Sequence, residues 1–573
     1  MIAAVPVVVV TVLAVTGDWL PMGDNAYFPI RAADVGTTHH PLIGAWSSGS
    51  MSVGVDVNNL GPMQFDLLAL PVRVGWINGT AIGVAAMNIA AIATACFAAR
   101  RVAGALGSLV VATGAAALCW TLGTQLHEPQ QHSAMVLAAF AFTVLVWAMV
   151  AGDLRSLPWA IGVASLLVQT HLTYLTSIPI LGVGAAVVCW VGWRRRTRSE
   201  EAPSTVRGVV VASVVVTVLC WAQPLLDQFA GRGNLGNVAS AAGAGPESAG
   251  FTHGLRSVAE VVALPPWWFP SSYRDFDPNA LGSLGVAVFA LVLVGLLLGG
   301  SGVLAHRSDD RVGVAAIATS GAVLALALVS ATSQVPTGDF GLVAGNYRWL
   351  WAAAAWVWVS VAVVVARVLA VRLADATRRR RSGDTRVEDA SRAPVRIGFA
   401  VLVLVAAVAS LPGARADLVA SHEPLVPVAR DLIAQLGPLE DLDLIEIDRR
   451  GMLFGEPYSY VVMAHLQARG VAFETVLDID VLRFGSGREP TGDAAGTIRF
   501  ANGNDALDAA PGEQRIAFAT GFDEDDLAEL EHLRALPDPS QEEAALLGGI
   551  EARWRVSTVG VFFHPGADAE AAG

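Results

Sequence analysis

The feature that most constrains this chain is a series of apolar blocks about twenty residues long, separated by short arginine-bearing or glycine-rich pieces. As a helix, such a block rises ~1.5 Å per residue and reaches across the roughly 30 Å hydrocarbon core of a bilayer. Backbone polar groups in hydrocarbon must be satisfied within the segment, so repeated blocks of this kind dictate a helical bundle. Length and apolar continuity place about eleven spans: residues 2–17, 74–99, 102–122, 134–151, 157–172, 175–193, 207–226, 280–300, 312–332, 348–371 and 394–411. At 54% hydrophobic and only 15% charged, the chain is not an ordinary soluble protein. The first run has no charged n-region and no small-residue cleavage site after it, so it reads as a first membrane helix rather than a signal peptide.

Arginine placement tests this division independently. The 37 basic residues are all arginine. Arg100-Arg101, Arg155, Arg194 to Arg196 with Arg198, Arg307 with Arg311, and Arg378 to Arg381 fall between alternate spans, whereas loops 123–133 and 333–347 carry none. The positive-inside rule then predicts a multi-pass protein of a bacterial plasma membrane, with a cytoplasmic N-terminus, an external loop 18–73 and an external tail from residue 412. Residues 373–396 read as a basic cytoplasmic linker beside anionic lipid head groups. The net charge of −13 gathers in the C-terminal third, which argues against nucleic acid as a partner. All four cysteines lie inside apolar blocks without CxxC spacing, and support neither a disulfide framework nor a zinc site.

The chain therefore divides into a transmembrane domain, 1–411, and an extracytoplasmic domain, 412–573. In the latter, residues 442–448, 471–477, 496–500, 515–519 and 556–563 read as strands, and 456–469, 523–536 and 541–553 as helices. Alternation of this kind predicts a small α/β domain. It carries no glycine fingerprint or nucleophile elbow, and its expected role is support or acceptor binding.

Polar residues are scarce inside the spans and crowded on the external side. Loop 18–73 opens with Gly23-Asp24 and continues through Arg31, Asp34, His39 and His40. An ionised Asp at the centre of a membrane helix costs roughly 2.5–3.5 kcal/mol, so carboxylates near hydrocarbon are functional candidates. Asp24 lies just past the first span, where the cost is lower, and a helix-capping role competes with a catalytic one. If 24–34 is one straight helix, ten residues at ~1.5 Å put Asp24 and Asp34 about 15 Å apart. That exceeds the roughly 5–10 Å of a glycosidase carboxylate pair, so one base and one structural residue are expected. Arg31 and Asp34, three apart, can pair on that helix. The other external segments contribute His127, then Gln169, His171 and Tyr174, then Trp267 and Trp268 beside Arg274, and finally Arg348. For each of these a plain interfacial or hydrogen-bonding role competes with ligand binding.

Several pieces together resemble actinobacterial polytopic glycosyltransferases of the GT-C type, arabinofuranosyltransferase-like and glycosyltransferase-39-like. They are Gly23-Asp24, Arg31 to Val35, Pro41 to Gly44, Gly61 to Pro71, Gly152-Asp153 before Leu157-Pro158, and Gln169 to Tyr174. The resemblance covers roughly residues 15–180, with the Pro265-Pro266-Trp267-Trp268 stretch beyond it. It departs at Asn59-Leu60, where such proteins often have His-Pro before the Gly-Pro. It implies a GT-C-like helical fold with an extracytoplasmic domain and a catalytic aspartate in the first external loop. It also implies an inverting transfer from a polyprenyl-phosphate sugar to a glycan, lipid or protein acceptor of the cell envelope. On that reading Asp24, with Asp34 as the other carboxylate, removes the acceptor proton. Arg31, Arg274 or Arg348 meets the departing phosphate; His39, His40, His127 and His171 are candidates for the phosphate or a divalent cation; Trp267 and Trp268 are candidates for stacking on a sugar. The residues fix no cofactor and leave any metal ligand set open. Two rivals stand beside this reading: a lipid or glycan transporter, which predicts internal repeats and mid-membrane charges, and a non-catalytic membrane scaffold.

Overall fold

The computed structural model describes residues 2–17, 19–196, 203–242, 247–263, 267–337, 341–380, 387–416, 423–453 and 455–566. Pro265-Pro266, Arg198, Arg381 and the middle of the 373–396 linker lie outside them. The chain forms two compact units, each drawing on several stretches of sequence.

The first unit takes Met1–Leu13, Leu42–Gln64 and Val84–Leu418. The described residues of the chain hold seven helices long and apolar enough to cross a membrane, and two shorter apolar helices, Ile2–Thr16 and Arg396–Ala409. This is a polytopic helical protein. Helices occupy the positions of the eleven expected spans, not all of them long enough to cross. Expected spans 74–99 and 102–122 are two helices that meet at Gly104, whose φ of 68° and ψ of −163° are non-helical, and the Ser108 hydroxyl donates to Cys96 O across the bend at 3.0 Å. Expected span 157–172 is the 14-residue helix Leu157–Thr170. At ~1.5 Å per residue that is about 21 Å, short of the hydrocarbon core.

Burial sorts the helices of this unit. The apolar stretch of Gln131–Val150 is 94% buried and that of Val206–Ala230 only 17%, so the former is the centre of the bundle and the latter its periphery. Around the centre, Trp147 packs on Trp356 with ring centroids 5.3 Å apart, and its indole N–H donates to Val312 O at 3.1 Å. Hydroxyls tie neighbouring helices together, Ser177 to Ser330 at 2.6 Å and Ser320 to Ser360 at 2.7 Å. Small hydroxyl residues suit a bundle in lipid, where close backbone approach replaces the hydrophobic drive.

The second unit takes Ala14–Pro41, Phe65–Gly83 and Val419–Gly573. Its centre is a five-stranded sheet of β1 (Leu444–Gly451), β2 (Ala472–Thr475), β3 (Gly496–Asn502), β4 (Gln514–Thr520) and β5 (Thr558–Pro565). The order is β2-β1-β3-β5-β4, with β1 parallel to β2 and β3, and β5 antiparallel to β3 and β4. The expected α/β domain is thus present, with its five strands and with helices Ser459–Ala468, Glu524–Ala535 and Gln541–Ser557. Two shorter helices, Val426–Ala434 and Asp478–Phe484, join them. Two pieces of N-terminal sequence pack with this domain. One is the helix Asp24–Asp34, in which nine of eleven residues are buried. The other includes most of the helix Met63–Val74, which buries Phe65, Leu68 and Val72 and leaves Leu67, Leu70 and Val74 exposed. An apolar face left open at that spacing suits a helix lying at a membrane interface.

Candidate active site

In the second unit the sequence Gly23-Asp24 is explained by backbone geometry. Gly23 has φ 54° and ψ −130°, a conformation that side-chain-bearing residues avoid, and its N–H donates to Pro457 O at 3.0 Å. It is the N-cap, and no side chain caps the helix. Asp24 is therefore the first helical residue rather than the cap, so the capping alternative falls. Its carboxylate is exposed and, among the described residues, makes no hydrogen bond or ion pair. The helix dipole favours a negative charge there.

Asp34, at the other end of the same helix, has the opposite environment. It is 1% exposed. Its Oδ2 accepts from Arg31 Nη1 at 2.6 Å, and its Oδ1 accepts from Arg488 Nη2 at 2.6 Å and from Gln467 Nε2 at 2.7 Å. Both carboxylate oxygens are taken up by these donors and closed off from solvent, so the reading of Asp34 as catalytic is corrected to a structural one. Arg31 is corrected with it: its Nη1 also donates to Phe484 O at 2.6 Å, and the side chain is 6% exposed. It is committed to the fold and not available to a phosphate. His40 is likewise used locally, its Nδ1 accepting from Gly36 N–H at 2.9 Å. His39 is half-buried with Gly487 close to its ring. Burial lowers its pKa, and the neighbouring Arg488 lowers it further.

A second polar network lies along the same helix. Burial pushes the Tyr27 phenol up to about 12, so it remains a donor, and its O–H bonds Arg483 O at 2.8 Å. The Tyr460 hydroxyl accepts from Arg449 Nη2 at 3.1 Å and from Arg483 Nη1. Arg449 grips Asp480 with two bonds of 2.5 Å and lies 3.7 Å from Glu456. Arg483 is also within electrostatic reach of Asp24. Sequence reasoning missed Arg449, Tyr460, Gln467, Asp480, Arg483 and Arg488. The one available signal was charge within an apolar run, Asp480 and Arg483 in Val476 to Phe484.

In the first unit the predicted His171 and Gln169 each meet residues that were not site candidates. The His132 and His171 rings meet edge to face, 4.6 Å apart, and His171 Nδ1 pairs with Thr173 Oγ1 at 2.8 Å. Asn59, at the point of departure from the family pattern, staples three segments. Its amide donates to Ala45 O at 3.1 Å and to Gln131 Oε1 at 3.2 Å, and its oxygen accepts from Leu172 N–H at 3.0 Å. Gln169 is fully buried, and its Nε2 donates to Cys220 O at 2.6 Å. It packs so closely on Gly61 that a Cβ there would lie 2.1 Å from Gln169 Oε1, which accounts for the glycine of Gly61-Pro62.

Arg348 stacks on the Tyr273 ring at 3.7 Å, lies 5.3 Å from the Trp351 ring, and donates to Tyr273 O. Burial pushes the Tyr273 phenol up to about 12. Its hydroxyl, Gln169 Oε1 and Trp267 Nε1 are buried with no hydrogen-bond partner among the described residues. Trp267 is buried and meets Trp268 edge-on at 5.9 Å, while Trp268 is exposed enough to stack on a ligand. Tyr174 and His127 are buried, and Arg274 is exposed. Among the described residues no group of three or more His, Cys, Asp or Glu side chains could hold a metal ion.

No family model matches this chain, and no curated protein matches it. Among solved structures it is similar to the crystal structure of ArnT from Cupriavidus metallidurans bound to undecaprenyl phosphate. The two are 14% identical with a TM-score of 0.49, over 90% of this chain and 95% of that one.

Proposed function

We propose that this protein is a membrane glycosyltransferase that moves a sugar from a polyprenyl-phosphate donor to a cell-envelope acceptor, with Asp24 as the general base. The observation that carries this reading is the contrast between the two aspartates of one helix. Asp34 is enclosed by Arg31 and Arg488, whereas Asp24 is exposed and unpaired among the described residues. An acceptor hydroxyl is a weak nucleophile, and a carboxylate that takes its proton as the new C–O bond forms lowers the barrier. The bond between the sugar's anomeric carbon and the phosphate oxygen breaks in the same displacement, with inversion, and polyprenyl phosphate departs.

A donor held in the bilayer fits a chain with seven long apolar helices among its described residues and a helix, Met63–Val74, whose open apolar face suits a membrane interface. Within the first unit, Arg348 and the unpartnered Tyr273 hydroxyl are the groups best suited to phosphate oxygens. The arginine alternation supports a cytoplasmic N-terminus and an extracytoplasmic site. The test is Asp24→Asn in the full-length protein reconstituted in vesicles with radiolabelled polyprenyl-phosphate sugars from the native membrane. The variant inserts normally and transfer is lost; retained transfer sinks the assignment of the base.

A further inference from the structure

We infer that the C-terminal domain positions the base: Arg488 and Gln467, acting through Asp34 and Arg31, lock the rotation of the helix that begins at Asp24. The inference rests on Asp24 being the base. The helix is tied to this domain at four points: Gly23 N–H to Pro457 O, Tyr27 O–H to Arg483 O, Arg31 to Phe484 O, and Asp34 to Arg488 and Gln467. Residues 27, 31 and 34 recur at three- and four-residue spacing, which is one face of an α-helix. A row of directional bonds along one face fixes both the height and the turn of the helix. Apolar packing alone would tolerate small rotations.

The lock matters because Asp24 is at the end of the helix and no bond of its own holds it. A side-chain tip sits about 5–6 Å from a helix axis, so a rotation of about 10° carries the carboxylate about 1 Å. A 1 Å misplacement of a catalytic group can cost about 10²-fold in rate. Stability alone does not account for the arrangement. A buried ion pair is often matched or bettered by well-packed apolar residues, and what the charged version adds is a unique geometry. Arg488, Gln467, Asp34 and Arg31 are positioning residues, since none is placed against the substrate.

The test uses the full-length protein in vesicles, with hydrogen exchange of residues 24–34 and of β3 measured beside transfer from the native polyprenyl-phosphate sugar pool. In Arg488→Gln, exchange of 24–34 should rise about tenfold while β3 keeps its protection. Turnover should fall about 10²-fold, with the apparent KM for the pool changed less than about threefold. Arg488→Lys, which keeps the charge but loses the planar fork, should recover part of the turnover. Gln467→Leu, a milder change should Arg488→Gln fail to fold, should loosen the helix and slow turnover by about tenfold. A loosened helix with undiminished turnover overturns the inference, as does an unchanged helix, or loss of protection in 24–34 and β3 together. Asp24→Asn separates the two claims. Wild-type-like transfer by that variant removes the base itself, whereas lost transfer there with full activity in Arg488→Gln removes only the positioning.

Discussion

Asp24 and Asp34 differ by ten positions and by almost everything that decides what a carboxylate can do. One faces solvent at the positive end of a helix, and the other closes a buried pair of arginines. Replacing Asp34 by Asn leaves Arg31 and Arg488 without their counter-charge, and breaking a buried pair in this way costs about 3–5 kcal/mol. For a unit of this size that lowers the melting temperature by about 6–20 °C. Asp24→Asn should cost less than about 1 kcal/mol, the weight of one helix-dipole interaction. Thermal melts of the two variants, followed by proteolysis of the second unit, check the contrast. The pairing of Arg31 with Asp34 was legible from their spacing. The arginine that completes it was not, because Arg488 lies 454 residues further on and a contact across that distance leaves no local pattern.

Among the elements, those with a strong period were readable. All five strands of the C-terminal sheet and its three longer helices fall where the sequence reads them, within a few residues at each end. Val426–Ala434 and Asp478–Phe484, at nine and seven residues, are too short to establish a helical period and went unread. Arg100 and Arg101 interrupt the hydropathy between two spans, and the chain turns at Gly104 just past them, so these two helices were legible as separate. The short helix Asp24–Asp34 was readable as an element but not as a buried one, since its burial comes from a distant domain. Its entry depends on Gly23. Gly23→Ala forces a Cβ into a backbone region that costs about 1–3 kcal/mol, and relief of that strain turns the first residue of the helix away. Transfer should then fall by about tenfold or more while Asp24 is still present, measurable beside wild type in the same vesicle assay.

For the molecule as a whole, the split into two units cuts across the order of the chain, because the second unit recruits Ala14–Pro41 and Phe65–Gly83 alongside Val419–Gly573. Hydropathy located the membrane helices and the change of composition located the α/β domain. Neither could show that early segments belong with the late domain, since both are properties of local sequence. A chain stopped after residue 412 should still insert its long apolar helices, whose apolar character is local. It should leave residues 24–34 open to protease and show no sugar transfer. Protection of that helix in the truncated chain would mean that its fold owes nothing to the C-terminal domain.

The bond between Asp34 and Arg488 also sets a schedule. A ribosome adding about 5–20 residues per second needs roughly 20–90 s to travel the 454 positions between them. Throughout that interval the aspartate waits without the arginine it will finally face. If the proposed positioning holds, the candidate base stays unset until Arg488 has been translated and its domain has folded.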